Sequence, residues 1–87
     1  MTFRIAFDDK ARKQLSKLDN TVRENIIFYL SRKELLQSPQ SFGKALSANL
    51  KGYWRYRVGD YRIICDIREK ELIVLIVEIG HRKNIYD

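Results

Sequence analysis

The sequence predicts an α+β fold: an N-terminal strand, a two-helix hairpin, then a three-stranded antiparallel meander forming a small sheet. Three observations predict it. Apolar residues keep helical spacing between Lys10 and Gln37, whereas aromatic and β-branched residues dominate from Tyr53 onward. Pro39 and the four glycines, Gly43, Gly52, Gly59 and Gly80, punctuate these segments. Strands and helices do not alternate as they would in a doubly wound parallel sheet.

Thr2 to Phe7 alternates, with Phe3, Ile5 and Phe7 on one face, so it reads as a strand. Asp8 or Asp9 can cap the helix that follows over Lys10 to Leu18, where Ala11, Leu15 and Leu18 share a face. Asp19-Asn20-Thr21 breaks that helix and starts the next. The second helix is expected to continue to about Gln37, through Val22, Ile26, Ile27, Leu30, Leu35 and Leu36. Ser38-Pro39 ends it, because the residue before proline is pushed out of the helical region. Ser41 to Lys51 carries no decisive period. Tyr53–Val58, Tyr61–Ile67 and Glu71–Ile79 are the meander strands. Leu72 to Val77 is apolar on both faces and therefore belongs inside the sheet.

Gly59-Asp60 separates the first two meander strands, and glycine at the first central position suits a type II′ turn. A two-residue loop dictates the register: Val58 faces Tyr61, Arg57 faces Arg62, and Arg55 faces Ile64. Arg55, Arg57 and Arg62 then share one face, while Trp54, Tyr56, Val58, Ile63 and Cys65 occupy the other. Like charges directly opposite on a sheet are destabilising, by roughly 0.2–1 kcal/mol on the scale of such pairs. A polyanion between them would reverse the sign, and arginine holds phosphate oxygens bidentately.

Composition narrows the field further. The chain has 87 residues and a formal net charge of +6, room for a single domain over 1–87. Residues 1–43 hold eight basic and five acidic residues and residues 44–87 hold nine and six, so each half nets +3 and there is no basic tail. A lone cysteine, Cys65, excludes an intramolecular disulfide framework and, with one histidine, a Cys/His zinc site. No apolar run approaches the roughly 20 residues of a membrane span. The protein is expected in the cytoplasm, with no membrane partner, no metal and no small-molecule cofactor. The scattered glycines form no phosphate loop, Cys65 reads as a buried small hydrophobe, and Asp8-Asp9 reads as helix capping.

The remaining chemistry suits RNA. RNA supplies its own nucleophile, the 2′-hydroxyl, so a small protein need only orient it, neutralise the phosphate and move two protons. Arginines stabilise the charge that grows in the transition state. Gly80-His81-Arg82-Lys83-Asn84-Ile85-Tyr86 follows the last strand and carries the only histidine, two cations and a tyrosine. His81 is the side chain whose unperturbed pKa lies near neutrality, and it is expected beside the arginine face as proton carrier. Tyr86 could share that work or stack on a base.

Leu50-Lys51-Gly52-Tyr53-Trp54-Arg55-Tyr56-Arg57-Val58-Gly59-Asp60-Tyr61-Arg62, followed by Ile79 to Tyr86, resembles the RelE branch of the RelE/ParE toxin superfamily. The resemblance extends over nearly the whole chain, including the Lys44-Ala45-Leu46 approach to the sheet. It implies a RelE-like fold of the microbial-ribonuclease type. It also implies the toxin of a type II toxin–antitoxin pair: a metal-independent endoribonuclease (mRNA interferase) that enters the A site of the 70S ribosome and cuts the bound mRNA, leaving a cyclic phosphate. By position, Arg55 and Arg57 match basic residues that contact and polarise RNA, and Arg62 matches a phosphate-stabilising arginine. Arg82 matches a tail arginine linked to transition-state stabilisation or leaving-group protonation. Tyr86 matches a tail tyrosine that stacks on or activates the nucleotide. Lys44, Lys51 and Lys83 complete the implied RNA-binding set.

The chain departs from the pattern in having Arg55 and Arg57 where lysines are usual, which favours charge stabilisation over proton donation. His81 matches relatives with a histidine near this point, and the chain is not expected to carry the C-terminal helix of some relatives. The implied partners are a RelB-like antitoxin, the ribosome and mRNA. The superfamily's other branch implies an alternative: a ParE-like toxin that inhibits DNA gyrase without nuclease chemistry.

Overall fold

The structure, a computed structural model, describes residues 1–83. Its elements run β1 (Arg4–Phe7), α1 (Asp9–Ser16), α2 (Asn20–Leu30), α3 (Lys33–Gln37), β2 (Lys44–Ala45), β3 (Trp54–Val58), β4 (Tyr61–Arg68) and β5 (Ile73–His81). The α+β class and the antiparallel β3–β4–β5 meander are as the sequence predicts.

The sheet is larger than expected. Five strands lie in the order β1-β5-β4-β3-β2, and β1 runs parallel to β5 while every other neighbour is antiparallel. The N-terminal strand thus joins the meander's sheet, with Ile5 beside Val74 and Phe7 beside Ile76. On the opposite edge β2 adds two residues from the stretch that shows no period. β5 is an interior strand, which accounts for its apolar character on both faces.

Local chemistry explains most helix boundaries. The Asp8 carboxylate accepts the Ala11 N–H at 2.8 Å and caps α1. The expected long second helix is instead two, α2 and α3, separated at Ser31-Arg32. Arg32 adopts extended backbone (φ −62°, ψ 134°), and the Ser31 hydroxyl donates to the Ile27 carbonyl at 2.7 Å. The break lets the chain change direction so that Leu35 is fully buried and Leu36 offers its carbonyl to the Phe3 N–H at 2.8 Å. Arg32 itself lies over the Tyr29 and Phe42 rings.

The helices cover one face of the sheet. Ala11, Ile26, Leu30 and Leu35 meet Tyr56, Ile63, Cys65, Val74, Ile76 and Ile79 in one buried cluster. Residues alternating with these project to the second face, where the arginines stand.

One irregularity matters for function. Between β4 and β5, Ile64 pairs with Glu78 but Cys65 pairs with Ile76, so Val77 is an extra residue in β5. The Gln14 side chain of α1 accepts the Ile79 N–H at 2.7 Å next to this bulge. The bulge inverts the alternation of β5: Val74, Ile76 and then Ile79 all face the helices.

Candidate functional site

The β3–β4 hairpin builds the centre of the site. Gly59 has φ +60° and Asp60 does not enter the left-handed region, as a type II′ turn requires. The register is the one that turn imposes: Arg57 opposite Arg62, Arg55 opposite Ile64, Val58 opposite Tyr61. Arg57 is exposed, Arg55 is half-buried and Arg62 is only 9% exposed. Arg62 also pairs with Gly80 of β5.

A second row of charge lies beside the first. In β2, Lys44 pairs directly with Arg55, so β2, β3 and β4 bring four cations onto one face as two like-charged pairs. Gly43 makes this possible. It has φ +73°, and a Cβ there would fall 2.2 Å from the Arg55 carbonyl oxygen. Only glycine lets β2 approach β3 so closely. Sequence reading assigns Lys44 to RNA but misses its pairing, since two residues are too few to show a period. Gly43 immediately before Lys44 is the signal that was available.

The remaining expected residues divide. Lys51 is exposed in the turn that leads to β3. Arg82 is latched to the hairpin: its N–H donates to the Asp60 carbonyl at 2.8 Å, and its guanidinium lies 3.9 Å from the Asp60 carboxylate. Lys83 is exposed, and its N–H donates to His81 Nδ1 at 3.3 Å. Tyr86 lies outside the described residues.

His81 does not join the arginines. It pairs with Tyr61, and the two rings meet edge to face with centroids 5.5 Å apart. Tyr61 packs against the core on the helix side, so the imidazole lies on the face away from Arg57 and Arg62. The sequence expectation places His81 beside the arginines because the tail follows the last strand; the extra residue Val77 puts His81 on the face of Ile79 instead.

Two titratable groups under the site are held neutral. Burial pushes the Cys65 thiol up to about 12, helped by the nearby Asp66 charge. Burial likewise raises the Tyr56 phenol well above its ordinary value, and its hydroxyl donates to the Pro39 carbonyl at 2.8 Å. Both belong to the core rather than to the chemistry. Among the described residues no three His, Cys, Asp or Glu side chains gather as metal ligands, and no helix is long and apolar enough to cross a membrane. What the arginine face offers is preorganised positive charge, suited to a phosphodiester.

Comparison with known proteins agrees with this geometry. Residues 5–86 match the family described as ParE toxin of type II toxin-antitoxin system, parDE. The chain is 29% identical over 86 residues to the toxin RelG of Mycobacterium tuberculosis, covering 99% of this chain and 98% of RelG. It is 29% identical over 84 residues to the mRNA interferase toxin RelE of Escherichia coli, covering 95% of this chain and 86% of that protein. Among solved structures, the toxin–antitoxin complex RelBE2 from M. tuberculosis gives a TM-score of 0.85 at 27% identity, over 94% of this chain and 100% of that chain. A mutant E. coli RelE toxin in the free state gives 0.78 at 25% identity, over 95% and 86%.

Proposed function

The chain belongs to the ParE toxin family of type II toxin–antitoxin systems, and on that premise we propose that it is an mRNA interferase acting in the ribosomal A site. The observation that carries the reading is Arg57 opposite Arg62, with Lys44 opposite Arg55 beside it, on the sheet face opposite the buried helix-side cluster. Folding alone disfavours both pairs, and a phosphodiester laid across them turns repulsion into attraction. The name of the E. coli relative, mRNA interferase, supports the same reading.

In the proposed reaction the ribose 2′-oxygen attacks the adjacent phosphorus. The bond to the 5′-oxygen breaks, leaving a 2′,3′-cyclic phosphate on one fragment and a 5′-hydroxyl on the other. RNA itself is the nucleophile, so the reading calls for no metal. Arg62 and Arg57 take the non-bridging oxygens, whose charge grows in the transition state. Arg62 is the more constrained of the two, because a nearly buried guanidinium holds one orientation. Arg55, Lys44 and Lys51 hold the flanking RNA. Arg82, kept at the hairpin turn by Asp60, is placed to reach a phosphate crossing the end of β4.

Arginine stays protonated at physiological pH, so this reading gives the proton transfers to another group, Tyr86 or the ribosome itself. His81 enters as a positioning residue that ties the end of β5 to Tyr61. The partners in this reading are a RelB-like antitoxin, translating ribosomes and mRNA, which places the protein in the cytoplasm.

Mapping mRNA 5′ ends on translating ribosomes tests the proposal, beside Arg62→Ala and Tyr86→Phe variants. Cuts within A-site codons that both variants diminish are expected. Intact mRNA, or undiminished cuts with both variants, would overturn it. DNA damage with intact mRNA would turn the reading toward gyrase.

A further inference from the structure

The cationic face of the sheet also carries an aromatic ring that the proposed reaction does not use. The Leu46 N–H donates to the Tyr53 carbonyl at 3.0 Å, which extends the β2–β3 ladder one step past the Ala45–Trp54 pair. Alternation then sets Tyr53 on the face of Arg55 and Arg57, because Trp54 and Tyr56, which alternate with them, pack on the helix side. Those two aromatics have their polar ends satisfied: the Trp54 indole donates to the Phe42 carbonyl and the Tyr56 hydroxyl to the Pro39 carbonyl. Tyr53 is 38% exposed, and among the described residues its side chain makes no hydrogen bond or ring contact.

Position and charge say what the ring can take. The large apolar side chains left exposed among the described residues are Met1, Ile27, Phe28 and Tyr53. Ile27 and Phe28 lie on α2 and Met1 precedes β1, so only Tyr53 stands in line with the cations. Arg55 follows it by two residues and Arg57 by four, about 6.6 and about 13 Å at the usual rise of a strand. An RNA strand whose scissile phosphate rests on Arg57 and Arg62, and which follows β3, passes the ring on its way. There it offers an unpaired base. Every base has a π-face, so an aromatic ring beside a basic groove holds single-stranded nucleic acid whatever its sequence.

We propose that Tyr53 is a base-stacking platform, which takes one unpaired base of the RNA flanking the cut without reading its identity. The proposal rests on the mRNA-interferase reading of the arginine face. Tyr53 meets the substrate away from the reacting bond, so the stack is made equally before and during attack. Its loss therefore falls on KM rather than on kcat. The ring does the holding and the hydroxyl takes no part.

An abasic scan tests it. Single-stranded RNA oligomers carry one abasic ribonucleotide each, moved along the strand with every phosphate kept, and binding to the full chain is measured by fluorescence anisotropy. The wild type should have a position where the missing base lowers affinity about fivefold or more, the scale of one aromatic–base stack, and where any base serves. Tyr53→Leu should bind the intact oligomer more weakly by a similar factor and lose the sensitivity at that position. Its log affinity should fall with log salt at the wild-type slope, since no phosphate contact is removed. Tyr53→Phe should match the wild type throughout. A wild-type scan with no sensitive position, a Tyr53→Leu scan that keeps every one, or a Tyr53→Phe loss as large as that of Tyr53→Leu would overturn the platform. Circular dichroism checks that Tyr53→Leu folds, and Tyr53→Thr, which suits a strand and has no ring, repeats the comparison.

The ribosome assay separates the two claims. In A-site cleavage Tyr53→Leu should raise KM about fivefold or more with kcat near the wild-type value. Cleavage at an unchanged KM, with a scan that the substitution does not alter, would remove the platform and leave the nuclease. A sensitive position that disappears in Tyr53→Leu, without A-site cleavage by the wild type, would leave the platform standing and remove the interferase reading.

Discussion

Arg57 and Arg62 stand directly opposite each other across the β3–β4 ladder, one exposed and the other only 9% exposed. Two cations in that register repel each other across the ladder. The cost of that repulsion to folding and the use of the pair in binding can be measured separately, because the exposed member can be changed without opening the core.

Arg57→Gln should stabilise the folded protein by about 0.2–1 kcal/mol, the scale of a like-charge cross-strand pair. In a domain of this size that is a few degrees in Tm. The same change should weaken RNA binding and cleavage. Thermal unfolding beside the ribosome assay checks both signs, and a variant that is less stable and equally active would contradict the account.

Arg62→Ala should lower the rate of A-site cleavage by about 10²–10³, the range for losing one preorganised donor to a developing oxyanion. Single-turnover kinetics should place most of the loss in kcat rather than in KM. A loss confined to KM would make Arg62 a uniform binding contact.

Gly43→Ala should destabilise the protein by about 1–3 kcal/mol, since it combines a left-handed backbone with a Cβ contact that sterics forbid. The backbone is at φ +73° and the clash is with the Arg55 carbonyl. The damage should centre on β2, so amide exchange at Lys44 and Ala45 should accelerate more than in β4. Even loss of protection across the sheet would argue against a local role.

His81→Gln separates positioning from proton transfer. With its ring against Tyr61 on the helix side, His81 should contribute to the order of the β5 end. The variant should lower Tm while the pH–rate profile keeps its shape. Loss of an inflection from that profile would return the proton-carrier role to His81.

Cys65 gives a pH prediction with a definite sign. Its thiol is raised from 9.0 to about 12, so the folded protein keeps a proton that the unfolded chain gives up first. The associated stability is complete below about pH 9 and is lost as pH climbs toward 12. Denaturant midpoints should fall over that window, and Cys65 should resist thiol reagents at pH 8 until the protein unfolds. Rapid labelling of the folded protein would show that burial does not control the thiol.

How much of this was legible beforehand depends on the range of the interaction. The Gly59-Asp60 loop alone specifies the β3–β4 register, because a two-residue turn leaves no freedom in pairing, and that register sets Arg57 against Arg62. Alternation alone sends Tyr56, Ile63 and Cys65 inward. Asp8 announces its cap because the acceptor is three residues away.

What depends on distant partners was not legible. β2 exists because Gly43 admits it against β3, and Lys44-Ala45 is too short to carry a period. α2 and α3 separate because burying Leu35 needs a change of direction, although the apolar spacing suits one helix equally well. Phe3 to Phe7 reads as a strand, but only the tertiary structure lays it parallel to β5. The face of His81 turns on one extra residue, Val77, beside a bulge where Gln14 of α1 holds the Ile79 N–H. Periodicity reports each segment's own faces. Which neighbour those faces meet, and where a ladder skips a residue, is decided only when the segments pack.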